Sequence, residues 1–239
     1  MSVHEVKKTV VDFNLHKATQ ELPILRSFID FVNKQSSVYM DCLNGFEGNK
    51  VRIERQVARV TFPARKEVRD GQEVVVWDSM EDPDKPDVIH SSIRKSSNYL
   101  ADNAEAGFNE QQICWAIIVF IFAYWDEEVR PAIAKVRGVE SNDIKIDALG
   151  DLRILRKAVV HAKGIVSAKE HAKLKKMADL IAPGEKLVLN HDQMHRVFVL
   201  IKNAIGEIVL HYTGGLPGAP SPDEIVDIAI QNPGPRDRS

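Results

Sequence analysis

The sequence predicts an all-α protein, an up-down helical bundle with a small β-hairpin insertion, on three observations. Several stretches repeat apolar residues with helical period, such as Leu25, Phe28, Ile29, Val32, Tyr39 and Leu43. The run from Ile113 to Trp125 is apolar on every side, as suits the central, fully buried helix of a bundle. Only Glu73–Trp77, with three consecutive valines, reads clearly as a strand, and Asp70-Gly71 before it is a turn signal.

In chain order, Val3–Phe13 is short and ambiguous. A helix is expected from Pro23, whose missing N–H costs nothing in a first turn, to a stop at Asn44-Gly45. Val51–Phe62 fits helix or strand, and a hairpin is expected between bundle helices. Glu81–Asp87, with two prolines, reads as a loop, and Val88–Asn103 as a polar, peripheral helix. Asn109 and Gln112 suit a capping box at the start of the central helix. That helix should run through Trp125, be disturbed at Pro131 and end before Gly138. A further helix, capped by Ser141 or Asn142, buries Ile144, Leu149, Leu152, Leu155 and Val159, with Gly164 as its left-handed terminator. Ser167–Ile181 reads as a shorter basic helix. Pro183-Gly184 turns the chain, and Lys186–Leu189 is a brief strand or extended link. Asn190 caps a last helix whose apolar face is Met194, Val197, Phe198, Ile201 and Ile205. Residues 1–212 are thus one helical domain with an insertion at 46–107, and the Pro/Gly-rich residues 213–239 a poorly ordered tail.

Composition narrows the function classes. Of 239 residues, 44% are hydrophobic and 28% charged, an ordinary globular balance. A net charge of −2 argues against a general nucleic-acid coat and leaves room for a local basic groove. Cys42 and Cys114 have no metal-type spacing and read as buried free thiols. The longest apolar run is too short to cross a bilayer, and the first residues lack a signal core, so no membrane partner and a cytoplasmic location are expected.

Chemistry concentrates in Gly150–Gly164, Gly-Asp-Leu-Arg-Ile-Leu-Arg-Lys-Ala-Val-Val-His-Ala-Lys-Gly. Arg156 can hold a phosphate by permanent charge, and the imidazole of His161 can exchange a proton near neutral pH. At about 100° per residue these two lie about 140° apart around a helix, whereas Arg153, Lys157 and His161 form one stripe. From Asp151 to Asp179 eight cations (Arg153, Arg156, Lys157, Lys163, Lys169, Lys173, Lys175, Lys176) face three anions (Asp151, Glu170, Asp179). Such a stretch is either a solvated basic face or an anion site. His191 and His195 have a zinc-compatible spacing, but no third ligand is evident and no metal or cofactor is expected.

The segment resembles the Arg-x(4–6)-His signature of the HEPN superfamily, helical proteins that include metal-independent ribonucleases. The preceding apolar helix, the frame Asp151-Leu-Arg-Ile-Leu-Arg156 and the glycine at 164 fit that signature. Ala123-Tyr-Trp-Asp-Glu-Glu-Val-Arg-Pro131 and the run Leu174 to Gly184 resemble one uncharacterised HEPN-like group. The resemblance covers roughly residues 108 to 210. It implies Arg156 and His161 as catalytic residues, Arg153, Lys157 and Lys163 as substrate-binding, and Glu127 or Arg130 as supports for His161. It further implies an RNA substrate, no metal, a homodimer pairing two such helices, and a setting such as phage defence or an antitoxin partner. The chain departs from the catalytic pattern at Lys157, where a small polar residue usually follows the arginine. A non-catalytic module binding RNA, a nucleotide or an acidic protein is therefore the alternative, and a purely structural bundle a third reading.

Overall fold

The computed structural model describes residues 3–61 and 75–213, so the expected tail from 214 onward and the Asp70-Gly71 turn lie outside the described residues. The protein is mostly helical with one antiparallel two-stranded sheet. Its elements are α1 (Val3–Thr61), β1 (Val75–Asp82), β2 (Lys85–Lys95), α2 (Ser96–Asp102), α3 (Phe108–Tyr124), α4 (Arg130–Arg137), α5 (Asp147–Ala162), α6 (Ala168–His171) and α7 (His191–Thr213). The chain divides into two compact units, Val38–Cys114 and the remainder, Met1–Ser37 with Trp115–Ser239. No described helix is long and apolar enough to cross a membrane.

The larger unit has a continuous core. Leu25, Phe28, Ile29 and Val32 of α1 are buried, and Phe28 meets the rings of Tyr124 and Trp125 at centroid distances of 6.1 and 5.6 Å. Leu149, Leu152 and Leu155 of α5 are buried, as are Met194, Val197, Phe198, Ile201 and Ile205 of α7. Burying each such side chain contributes roughly 2 kcal/mol. Asn190 caps α7 as its sequence implies: its Oδ1 accepts from the Gln193 N–H at 2.9 Å, and Gln193 Oε1 accepts from the Asn190 N–H at 3.0 Å.

Several expected boundaries are corrected. Helix α1 neither begins at Pro23 nor ends at Asn44-Gly45 but runs through both. An interior proline costs about 3 kcal/mol. Contacts on either side of Pro23 offset it: buried Glu21 receives Arg137 Nε at 2.8 Å and Arg137 Nη2 at 3.0 Å, and Leu25 is buried. Gly45 lies on an exposed face with no side chain near it, so it weakens the helix without breaking it. Residues 88–95 are strand rather than helix. Asp82 Oδ1 accepts from the N–H groups of Asp84 (2.9 Å) and Lys85 (3.2 Å), a side-chain-mimicked turn that folds β2 back on β1. Val75 then pairs with Lys95 and Met80 with His90. Val75 and Val76 thus lie in the hairpin's first strand, and residues 85–95 form its second.

Helix α3 starts at Phe108, so Asn109 does not cap it; the backbone N–H of Ala106 is taken by Glu110 Oε2 at 2.6 Å instead. The disturbance expected at Pro131 is a π-turn over Trp125–Val129, closed by the Arg130 N–H on the Trp125 carbonyl. Pro131 cannot donate to residue 127, and the extra residue absorbs that loss. Helix α4 ends at Gly138, which is left-handed at φ 71°. Ser141–Asp143 is an isolated 3₁₀ turn, and α5 begins only at Asp147. Asn142 cannot cap α5 because its Oδ1 accepts from Arg130 Nη2 at 3.1 Å. The expected basic helix 167–181 shrinks to α6, capped by Ser167, and a 3₁₀ turn at Ala178–Leu180. Lys186–Leu189 is an extended link, as expected, with a single antiparallel bridge from Lys186 to Ile165.

Candidate functional site

Helix α5 buries Ala148, Leu149, Leu152, Ile154, Leu155 and Ala158 along one side. The opposite side carries Arg153, Lys157 and His161, all exposed, and Arg156 sits half-buried at its margin. The helix ends at Ala162, with Lys163 and Gly164 both left-handed, at φ 53° and 85°. Gly164 is required twice over. Its backbone conformation disfavours a side chain, and a Cβ there would lie 2.5 Å from the Trp115 ring. Trp115 in turn donates through Nε1 to the Leu187 carbonyl at 3.0 Å, and the Leu187 N–H returns to the Gly164 carbonyl at 2.8 Å. The end of α5, the central helix and the link before α7 are thereby pinned together, which sets where His161 projects.

Asp151 has a role that its place among three anions does not reveal. It is 2% exposed on the buried side of α5, and its carboxylate accepts from the N–H groups of Lys175, Lys176 and Met177 at 2.6–3.0 Å. Three successive backbone donors are thus satisfied by one side chain, tying the 175–177 segment to the motif helix. An acidic residue in register with Ala148 and Leu155 was the available signal. His171 makes a second tether, its Nε2 within 2.9 Å of the Ala178 carbonyl and 2.8 Å of the Ile181 carbonyl.

The basic patch then resolves into two classes. Lys175 reaches Asp147 at 2.7 Å, Lys173 reaches Glu170 at 2.8 Å, Lys157 lies 3.7 Å from Glu170, and Lys176 lies 3.8 Å from Glu207. The Lys173 hydrogen bond foremost, with help from the charge of Lys157 and against some desolvation, holds the Glu170 carboxyl below its usual range. Asp147 raises Lys175 correspondingly. The side chains of Arg153, Arg156, His161, Lys163 and Lys169 form no hydrogen bond or ion pair with other described residues.

The supports expected from the preceding helix make no such contact with His161. Arg130 donates to the Ser141 carbonyl (2.6 Å), Asp126 Oδ1 (2.8 Å) and Asn142 Oδ1 (3.1 Å), so its guanidinium braces the α4–α5 link. Glu127 is exposed in the π-turn. Among the described residues no three His, Cys, Asp or Glu side chains cluster as metal ligands would. Arg153 and Arg156 are cations that an anion could meet, and His161 is an exposed imidazole one turn or more further along the helix. No family model, curated protein or solved structure matches the chain.

Proposed function

We propose that this protein is HEPN-like and cleaves RNA phosphodiesters without a metal, through Arg156 and His161. The observation that carries the reading is selective pairing: Lys157 has a carboxylate beside it, whereas Arg156 and His161 have none among the described residues. Arg156 is partly buried as a residue, yet none of its nitrogens is sealed from solvent without a partner, so the guanidinium stays open to an external anion.

In the proposed reaction His161 of one copy removes the proton of a ribose 2′-hydroxyl, and that oxygen attacks the adjacent phosphorus. The bond from phosphorus to the 5′-oxygen then breaks. The leaving oxygen takes a proton from an imidazolium or water, leaving a 2′,3′-cyclic phosphate and a 5′-hydroxyl. Arg156 neutralises the charge that grows on the non-bridging oxygens, with Arg153 and Lys163 holding flanking phosphates. Because Arg156 and His161 lie about 140° apart on one helix, the complete site draws on two α5 helices in a homodimer. Incubation of RNA in EDTA with the protein, with Arg156→Ala and with His161→Ala tests this. Cyclic-phosphate products from the unaltered protein alone are expected. Equal cleavage by all three, or cleavage by none, overturns it.

A second reading has its own support in Lys157, a bulky, ion-paired cation at a position where catalytic relatives place a small polar residue. In that reading the same face binds an RNA end, a nucleotide or an acidic protein, an antitoxin included, without cleaving. Salt-sensitive RNA binding with no product on a gel identifies it.

A further inference from the structure

The unit Val38–Cys114 contains a pocket of about 480 Å³, a size common for small-molecule sites. Four carboxamides, Asn49, Asn103, Asn109 and Gln112, contribute to its wall, and among the described residues no carboxylate does. Asn103 is the informative one. It is 4% exposed, and its Nδ2 donates to the Tyr99 carbonyl at 2.8 Å. A carbonyl needs a donor, so that bond fixes the amide orientation and leaves Oδ1 as the remaining group. This buried oxygen has no hydrogen-bond partner among the described residues. Leaving such an acceptor unmet costs about 1–3 kcal/mol, a deficit that a bound donor removes. The side chains of Asn49, Asn109 and Gln112 also make no hydrogen bonds among the described residues.

Flat groups complete the wall. Phe46 lines it, and so does Arg94, whose guanidinium lies 4.6 Å from the centre of the Tyr99 ring. Arg52 Nη2 donates to the Tyr99 hydroxyl at 3.3 Å and opens a cationic row, Arg52, Arg55 and Arg59, along the same helix. Amides that pair with base edges, flat faces that stack and an adjoining row of arginines match one ligand chemistry. We propose that this pocket binds the base of a nucleotide, with an exocyclic amine donating to Asn103 Oδ1 and the phosphate directed to the Arg52–Arg59 row. The nucleotide is either free or part of a single strand, and the site is separate from Arg156 and His161.

Calorimetric titration of the full chain with the 5′-monophosphates of adenosine, cytidine, guanosine and uridine, and with a short single-stranded RNA, tests the proposal. Saturable binding is expected for bases carrying an exocyclic amine, with uridine weaker. Tighter binding of the RNA than of any mononucleotide identifies a strand as the source, and the reverse identifies a free nucleotide. Asn103→Leu should weaken binding about tenfold, the equivalent of one lost buried hydrogen bond. Gln112→Ala, an exposed change, should weaken it without affecting folding, which keeps the test decisive if Asn103→Leu does not fold. Retained mononucleotide binding in an Arg156→Ala, His161→Ala double variant separates this pocket from the proposed cleavage site. Absence of saturation by all ligands overturns the proposal, as does binding that Gln112→Ala and Asn103→Leu both leave unchanged.

Discussion

At the scale of single residues, Asp151 and His161 are opposites on one helix. Asp151 is buried beneath three backbone donors, so Asp151→Ala leaves three polar hydrogens without an acceptor. A loss of about 3 kcal/mol is expected, read as a lower urea midpoint. His161→Ala removes an exposed ring and should move the midpoint by less than about 0.5 kcal/mol. A large loss on His161→Ala would mean that the ring is structural. In the other unit, burial foremost pushes the Cys114 thiol up to about 12, and desolvation with a 2.7 Å hydrogen bond to Glu110 raises the Tyr39 hydroxyl as well. Both groups stay neutral when folded, while the unfolded thiol ionises near its ordinary 9.0. Protons are then lost on unfolding, and stability falls as pH rises from 9 toward 12, by up to about 1.4 kcal/mol per unit for the thiol. Urea midpoints across this range should fall more steeply in the unaltered protein than in Cys114→Ala; parallel slopes would contradict the assignment.

At the scale of elements, local chemistry was legible and long-range compensation was not. The Asn190–Gln193 cap lies within four residues, and the Leu149, Leu152, Leu155 stripe needs only a helical period, so both could be read directly. Pro23 could not, because the contacts that carry α1 through it come from Arg137, far along the chain. Residues 88–95 misled for a related reason: Val88, Ile89 and Ile93 fit a helical spacing, and only the Asp82 turn and its partner strand make them extended. The site followed the same division. The Arg153, Lys157, His161 face follows from helical geometry, but the Asp151 tether and the ion pairs that remove Lys157, Lys173, Lys175 and Lys176 from the free patch do not. Asn190→Ala should cost about 1 kcal/mol. Gly164→Ala should cost about 2 kcal/mol or more, since it meets both the left-handed backbone and the Trp115 ring. Thermal melting of the two variants checks the order, and equal melting points would show that the Trp115 clamp is slack.

At the scale of the whole molecule, the proposed dimer rests on angular geometry. One α5 helix does not present Arg156 and His161 on the same face, so the proposed cleavage site would borrow each group from a different copy. Mixing Arg156→Ala with His161→Ala should then restore part of the activity that neither variant has alone, because a mixed dimer contains one intact pair. No recovery on mixing would place both groups of each site in a single chain.

The most direct measurement is RNA cleavage in EDTA, with product ends identified by mass spectrometry, across the unaltered protein, Arg156→Ala, His161→Ala and a surface control, Lys169→Ala. Cleavage at Arg156 and His161 requires 2′,3′-cyclic phosphate ends from the unaltered protein and the control and none from the other two. Products of the same kind and amount from all four, or no products from any, would contradict it.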